Sequence, residues 1–298
     1  MSNVHTQAED DFFRARNKAL FNEVQHFVNQ EESHLLSFND IKQLLKPKNE
    51  VYLGMQVVPV DLIAGSEGRY TDFDSHFFPK NMHLKTRWAH IDEAHLTDVI
   101  LPPIKLYEIG GLYFVRDGNH RVSVARAKGV ECIDAEVVSL KSEIKLKPGL
   151  SRKQIQKEVI NYEKRVFYME TNFGDITDFW KLDFSTPGQY DVIYNHILTH
   201  KYFINQNKTE EISMPDAILS WYENVYCPVI EVVHRRHIMR KFKGRTTSDM
   251  YVWLIKYWDE LKTKFGSEIP LDDVTDGFKQ EFGMGFFRHF LKNKKSKS

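Results

Sequence analysis

The stretch Leu112-Tyr113-Phe114-Val115-Arg116-Asp117-Gly118-Asn119-His120-Arg121, continuing through Val122-Ser123-Val124-Ala125-Arg126-Ala127-Lys128 to Gly129, constrains the fold more than any other part of the chain. The apolar, aromatic run reads as a strand, Asp117-Gly118 as a tight turn, and Asn119 as the start of a helix that stops at Gly129. Strand end and helix start therefore meet at one glycine. A helix N-terminus carries unpaired backbone N–H groups and the positive end of the helix dipole, which suits an anion. Gly118 lets the backbone approach a ligand closely, while His120, Arg121 and the nearby Arg126 add donors and charge. The phosphate of a nucleotide fits that chemistry. The plain alternative is a strand–turn–helix whose polar residues cap the helix and face water.

Gly118-Asn119-His120-Arg121 resembles the signature of the ParB/sulfiredoxin superfamily, in which a strand runs into a Gly-x-x-Arg helix start that holds nucleotide phosphates. Its form is nearest to the Asp-Gly-x-His-Arg of the free-serine-kinase-like members. The flanking elements follow the family's order over about residues 57–138. Val58-Pro59-Val60-Asp61-Leu62-Ile63 resembles the first strand, Gly68-Arg69-Tyr70-Thr71-Asp72-Phe73-Asp74 the segment after it, Arg87-Trp88 to His95 the helix, and Leu101-Pro102-Pro103-Ile104-Lys105-Leu106 the second strand. The resemblance implies an α+β fold with a ParB/sulfiredoxin-like mixed sheet, and a nucleoside di- or triphosphate with Mg2+ held by Gly118, Asn119, His120 and Arg121, with Arg69 opposite. An acidic residue from the facing loop is the base in the kinase-like members, which makes Glu67 or Asp72 a candidate here. Asp117 would orient His120, hold a metal or only shape the turn. Two departures matter. Asn119 stands where sulfiredoxins need cysteine, which excludes their redox chemistry, and Val122-Ser123-Val124 stands where ParB carries a further arginine.

Composition narrows the partners. Lys plus Arg and Asp plus Glu number 41 each in 298 residues, so no global field draws the chain to DNA or membranes, and any DNA contact must come from a local patch. No stretch approaches the ~18 uncharged apolar residues of a membrane span. Cys132 and Cys227 lie among apolar neighbours without zinc-like spacing and read as buried free thiols in a reducing cytoplasm.

Taken in order, residues 8–29 read as a helix with Phe13, Leu20, Val24, Phe27 and Val28 on its apolar face. Ser37 caps a second helix stopped by Pro47. Its mixed charge argues against a DNA-reading helix-turn-helix. Residues 51–63 read as strand and Ala64-Gly65-Ser66-Glu67-Gly68-Arg69-Tyr70 as a ligand-facing loop. His76, His83, His90 and His95 lack metal-site spacing. Residues 130–140 read as a closing strand. The expected domains are a helical extension (1–50), the nucleotide-binding domain (51–140), a lysine-rich linker (141–160) and an all-α C-terminal domain with a basic tail (161–298).

In the second half, Tyr190, Ile193, Ile197 and Leu198 mark one helix, and Ile218, Trp221, Tyr222 and Val225 another that Tyr226-Cys227-Pro228 interrupts. His196 and His200, four apart, read as core or surface histidines without a third ligand. His234-Arg235-Arg236-His237 reads as a solvated helix end, with phosphate contact as its alternative. Thr246 with Asp249 forms a capping box, and Gly244-Arg245-Thr246 is a second candidate anion site. The segment with Trp221-Tyr222 and Pro228 resembles the C-terminal half of a family of uncharacterised bacterial proteins that carry a ParB-like N-terminal domain.

The expected function is nucleotide binding with phosphoryl transfer to a small acceptor or hydrolysis, carried by Glu67, His120 and Asp117 with phosphate held by Arg69 and residues 118–121. The competing expectation is a nucleotide-regulated DNA- or protein-binding regulator without catalysis, with a homodimer among the expected states and the tail Arg288 to Ser298 as a DNA contact. No carboxylate cluster with two-metal spacing supports a nuclease.

Overall fold

The computed structural model describes residues 2–29, 34–206, 209–265 and 270–282, and Val24, Phe27, Val28 and the tail Arg288 to Ser298 lie outside the side chains or residues described. The chain divides into two compact units, Met1–Val159 and Ile160–Ser298.

The first unit is a mixed six-stranded sheet. Its elements are α1 (Ser2–Asn29), β1 (Leu36–Ser37), α2 (Phe38–Leu45), β2 (Glu50–Pro59), β3 (Ile63–Ser66), α3 (Lys85–Leu96), β4 (Ile104–Ile109), β5 (Leu112–Asp117), α4 (Asn119–Lys128) and β6 (Cys132–Leu140). The strand order is β1-β3-β5-β4-β6-β2. β1, β3 and β5 run parallel, β4 turns back on β5 through Gly110-Gly111, β6 runs parallel to β4, and β2 closes the edge antiparallel to β6. β5 is apolar at every position from Leu112 to Val115 because both of its faces are covered. Leu112 and Phe114 enter one core with Phe38, Ile41 and Leu45 of α2, and Val115 enters the other with Phe12, Trp88 and Val122.

Several expectations shift. The buried face of α1 is Ala8, Phe12, Ala15 and Ala19, while Phe13 and Leu20 are exposed. Alanines at that spacing let the helix lie close against α3, and bulkier residues turn outward. The strand expected over 51–63 breaks at a 3-10 turn, Val60–Leu62, and residues 64–66 belong to strand β3 rather than to a loop. Gly65 is what permits it, since a Cβ there would stand 2.2 Å from the Leu36 carbonyl oxygen and 2.7 Å from the Phe114 ring. Cys132 is exposed at the start of β6, and Cys227 is half-buried. From Arg152 the expected linker is already helix, the first part of α5 (Arg152–Thr171), whose Ile155 and Val159 join the core of the first unit.

The second unit is all-α, as expected. Beyond α5 it contains α6 (Phe173–Thr177), α7 (Gln189–Asn205), α8 (Met214–Trp221), α9 (Cys227–Arg235), α10 (Thr247–Phe265) and α11 (Leu271–Phe282). Between α8 and α9 the helix widens into a π-helical turn, Tyr222–Tyr226, where the Cys227 N–H reaches back to the Tyr222 carbonyl. Pro228 follows, and having no N–H it cannot restore the regular ladder. Trp221, Tyr226 and Tyr251 centre an aromatic core. His196 Nδ1 meets the Tyr251 hydroxyl at 3.1 Å and His200 Nε2 the Ser220 hydroxyl at 3.0 Å, so the two imidazoles serve different partners. His234, Arg235 and His237 are exposed, as a solvated helix end should be, and Arg235 and Arg236 also reach Asp272, and Arg236 Asp276, which ties α9 to α11.

The Gly244-Arg245-Thr246 turn is not an anion seat. Asp249 already fills it, accepting from the Thr246 N–H at 2.8 Å and the Ser185 N–H at 3.1 Å, and Arg245 lies over the Trp253 ring and donates to Ser185 Oγ. Asp249 is 2 % exposed, so Asp249→Ala should cost this unit about 2–3 kcal/mol, with Asp249→Asn milder. Urea unfolding checks this. A loss below about 0.5 kcal/mol would mean water replaces the carboxylate.

Candidate anion-binding site

Ser66, at the end of β3, pairs in register with Val115 of β5, and the two parallel strands end side by side. The Glu67 N–H donates to the Val115 carbonyl at 3.0 Å and continues the pairing. Ser66 itself is fully buried, its hydroxyl donating to the Val115 carbonyl and accepting from the Arg69 N–H, so it is not the ligand group that its place between two glycines suggests. The turn at residues 67–70 and the start of α4 thus lie at the same end of the sheet, where open α/β sheets bind ligands.

Gly118 has φ +108° and ψ 22°. Only glycine takes that conformation without strain, and a Cβ would also stand 2.5 Å from Ile104 Cγ2. The chain therefore reverses directly from strand to helix.

α3 reaches the same place. Arg87 at its start lowers the pKa of His120, Trp88 Nε1 donates to Ser123 Oγ at 2.9 Å, and Asp92 pairs with Lys128 at 3.0 Å. The pairings climb together along both helices, so α3 and α4 run side by side in the same direction with their positive ends adjacent. Neither helix has an acid in its first turn, and α3 starts with Lys85 and Arg87, which oppose its dipole.

His120 sits between these charges. It is 6 % exposed, packs edge-on against Phe73 at 5.7 Å, and its Nδ1 has no partner among the described residues. Burial first, then Arg87, Arg69 and His83, push its pKa down to about 4, so the imidazole is neutral at pH 7. Asn119, 9 % exposed, also has an unpartnered side-chain oxygen. Buried polar atoms are rarely left unpaired, and two adjacent ones at a helix start make this the candidate site.

The structure separates the other candidates. Glu67 is half-buried, and its carboxylate makes no ion pair or hydrogen bond among the described residues. Arg69 is exposed and pairs loosely with Asp72 at 3.6 Å. Asp117 does not orient His120: its Oδ2 lies 2.6 Å from Arg121 Nη2. Arg121 also donates to the Pro102 and Pro103 carbonyls, which spends the signature guanidinium on holding the loop before β4. Arg126 donates to the Ile63 carbonyl at 3.2 Å, away from the helix start. Sequence reasoning missed Arg87 and His83, and the signal available was two basic residues at a helix start with no acid. Among the described residues no group of three His, Cys, Asp or Glu side chains could hold a metal, and no helix is long and apolar enough to cross a membrane.

No protein-family model matches the chain, and no curated protein is significantly similar to it. Among solved structures, it is similar to the C2221 form of a pNOB8-like ParB N domain, at 13 % identity and a TM-score of 0.22, over 83 % of this chain and 98 % of that one. A second structure of the pNOB8-like ParB N-domain gives 14 % identity and a TM-score of 0.23, over 76 % of this chain and 75 % of that one.

Proposed function

We propose that the first unit binds a nucleoside di- or triphosphate, its phosphates lying across the adjacent starts of α3 and α4. The observation that carries this reading is His120, buried with a ring nitrogen that has no partner among the described residues, beside Arg69 and Arg87 at two adjacent helix starts. Backbone N–H groups of residues 119–121 would donate to phosphate oxygens, and Arg69 and Arg87 would supply charge. Arg121 keeps its structural place. Magnesium would arrive on the nucleotide, since such ions are held by one or two carboxylates plus substrate phosphates, and Glu67 is the carboxylate at hand. Bound, the ion would neutralise phosphate charge. Phosphoryl transfer to a small acceptor or to water needs positioning and charge neutralisation more than a protein nucleophile, and Glu67 is the group suited to accept the acceptor's proton.

Calorimetric titration of ATP, ADP, CTP and GTP with magnesium is the test, on wild type and Arg87→Ala. Micromolar binding of one nucleotide, weakened about 10- to 100-fold in the variant, is expected from the loss of one charge-assisted contact. Absence of binding at millimolar nucleotide, or an unchanged Arg87→Ala, overturns the reading. Binding without phosphate release or transfer selects the regulator form of it.

A further inference from the structure

β2 is a ten-residue edge strand that no element covers among the described residues. Along it Val51, Tyr52, Leu53, Met55 and Val57 are 39–69 % exposed, and no charged side chain interrupts Val51 to Pro59. Proteins usually blunt such edges with lysine or a covering element, because the open N–H and C=O groups template pairing with another chain. The geometry points to a second copy of this chain as the occupant, pairing β2 with β2 antiparallel about a two-fold axis at Met55 and extending the sheet from six strands to twelve.

The register carries the argument. β2 pairs with β6 as Tyr52 to Val138, Gly54 to Val137, Met55 to Glu136 and Val57 to Asp134, so Leu53 is the extra residue of a bulge. Gly54 and Gln56 point to the sheet face that buries Val58 and Val137, and Tyr52, Met55 and Val57 share the opposite face. Without the bulge, Tyr52 and Val57, five residues apart, would lie on opposite faces. With it, the strand is self-complementary. Met55 faces Met55 of the partner subunit on the axis, Tyr52 faces Val57 of the partner subunit, and Val51 faces Val58 of the partner subunit, every pair on a matching face. A parallel pairing has no such match.

Charge agrees. The end of β2 near Glu50 carries exposed Lys46, Lys48 and Lys141, with Glu50 paired to Lys42 and Glu143 to Lys48, so it keeps a basic excess, and the end near Pro59 carries exposed Asp61, Glu131 and Asp134. Antiparallel pairing sets each basic end on the partner's acidic end, twice by symmetry, with Lys48, which already meets Glu143 at 2.8 Å, shared with Asp61 of the partner subunit. The edge is about 33 Å long. Five apolar side chains along it, with the charged ends, make an interface of the modest class, whose standard member buries about 800 Å² per partner.

Light scattering on the full chain over a concentration series should give twice the 35.1 kDa monomer mass. Met55→Arg, which sets two cations on the axis, should return the monomer with its circular dichroism unchanged. Asp61→Lys or Lys48→Glu alone should weaken the dimer at least tenfold, and the double exchange should recover most of that loss. In a Cys132→Ser background, oxidised Met55→Cys should cross-link, because facing antiparallel Cα atoms stand about 4.5–5.5 Å apart, within disulfide reach. Met82→Cys, also exposed, should not. A monomer at all concentrations, or a dimer indifferent to Met55→Arg and silent in the cross-link, overturns the proposal.

Discussion

Lys128→Ala is expected to lower the stability of the first unit by about 3–5 kcal/mol, enough to leave little of its native state. Lys128 Nζ stands 2.6 Å from Asp11 Oδ2 and 3.0 Å from Asp92 Oδ1, joining α1, α3 and α4 at one point. Asp92 is fully buried, and burial raises its pKa despite the ammonium beside it. Without Lys128 the carboxylate must ionise unpaired in the core or take up a proton. The direction with pH follows. A carboxyl whose folded pKa lies above its unfolded value contributes stability below the unfolded value and loses it as pH rises through the folded one. Removing Lys128 enlarges that loss, so the gap between wild type and variant should be widest at pH 7 and shrink toward pH 4. Urea unfolding with amide exchange in α3 and α4 measures the gap at both pH values. Lys128→Met combined with Asp92→Asn, which removes both charges, should recover most of the loss. A deficit below 1 kcal/mol, or one that grows on acidification, would show that water rather than Lys128 stabilises Asp92.

Gly118→Ala is expected to cost about 2–5 kcal/mol. Roughly 1–2 kcal/mol comes from holding an L residue at φ +108°, and about 1–3 kcal/mol from forcing a Cβ against Ile104, which has no exposed surface to yield into. The two causes separate in a double-mutant cycle. Ile104→Ala removes Cγ2 and the closer of the two contacts but keeps the one to Ile104 Cβ at 2.9 Å, so the pair should lose less than the sum of the singles by about 1 kcal/mol, while the backbone strain and that second contact remain. Additive losses would assign the cost to φ and to the contact with Ile104 Cβ rather than to Cγ2. A variant within 1 kcal/mol of wild type would mean that the turn relaxes and that Gly118 is not needed to join β5 to α4.

Much of this molecule follows from local rules. The double burial of β5 is written in four consecutive apolar residues, the reversal in Asp117-Gly118, the end of α4 in Gly129, which takes φ +70°, and the start of α2 in Ser37, which accepts from the Asp40 N–H. Such features depend on backbone sterics and on side chains a few residues apart. β3 was hidden because Ala64-Gly65-Ser66 has no strand propensity of its own; the close approach of Leu36 and Phe114 makes it a strand. The buried face of α1 was hidden because alanine spacing and phenylalanine spacing both fit a helix, and the fit to α3 chose the alanines.

The site divides in the same way. The sequence by itself determined a strand, a glycine reversal and a helix start at one glycine, together with an all-α second half. Tertiary structure alone decided that Arg121 holds Pro102, Pro103 and Asp117, that Arg87 comes to His120 from 33 positions earlier, and that α3 and α4 bring their positive ends together. The reason is one of range. Periodicity and turn chemistry are read over a few residues, whereas the direction of a guanidinium and the convergence of two helix starts are fixed by the register of strands far apart in the chain.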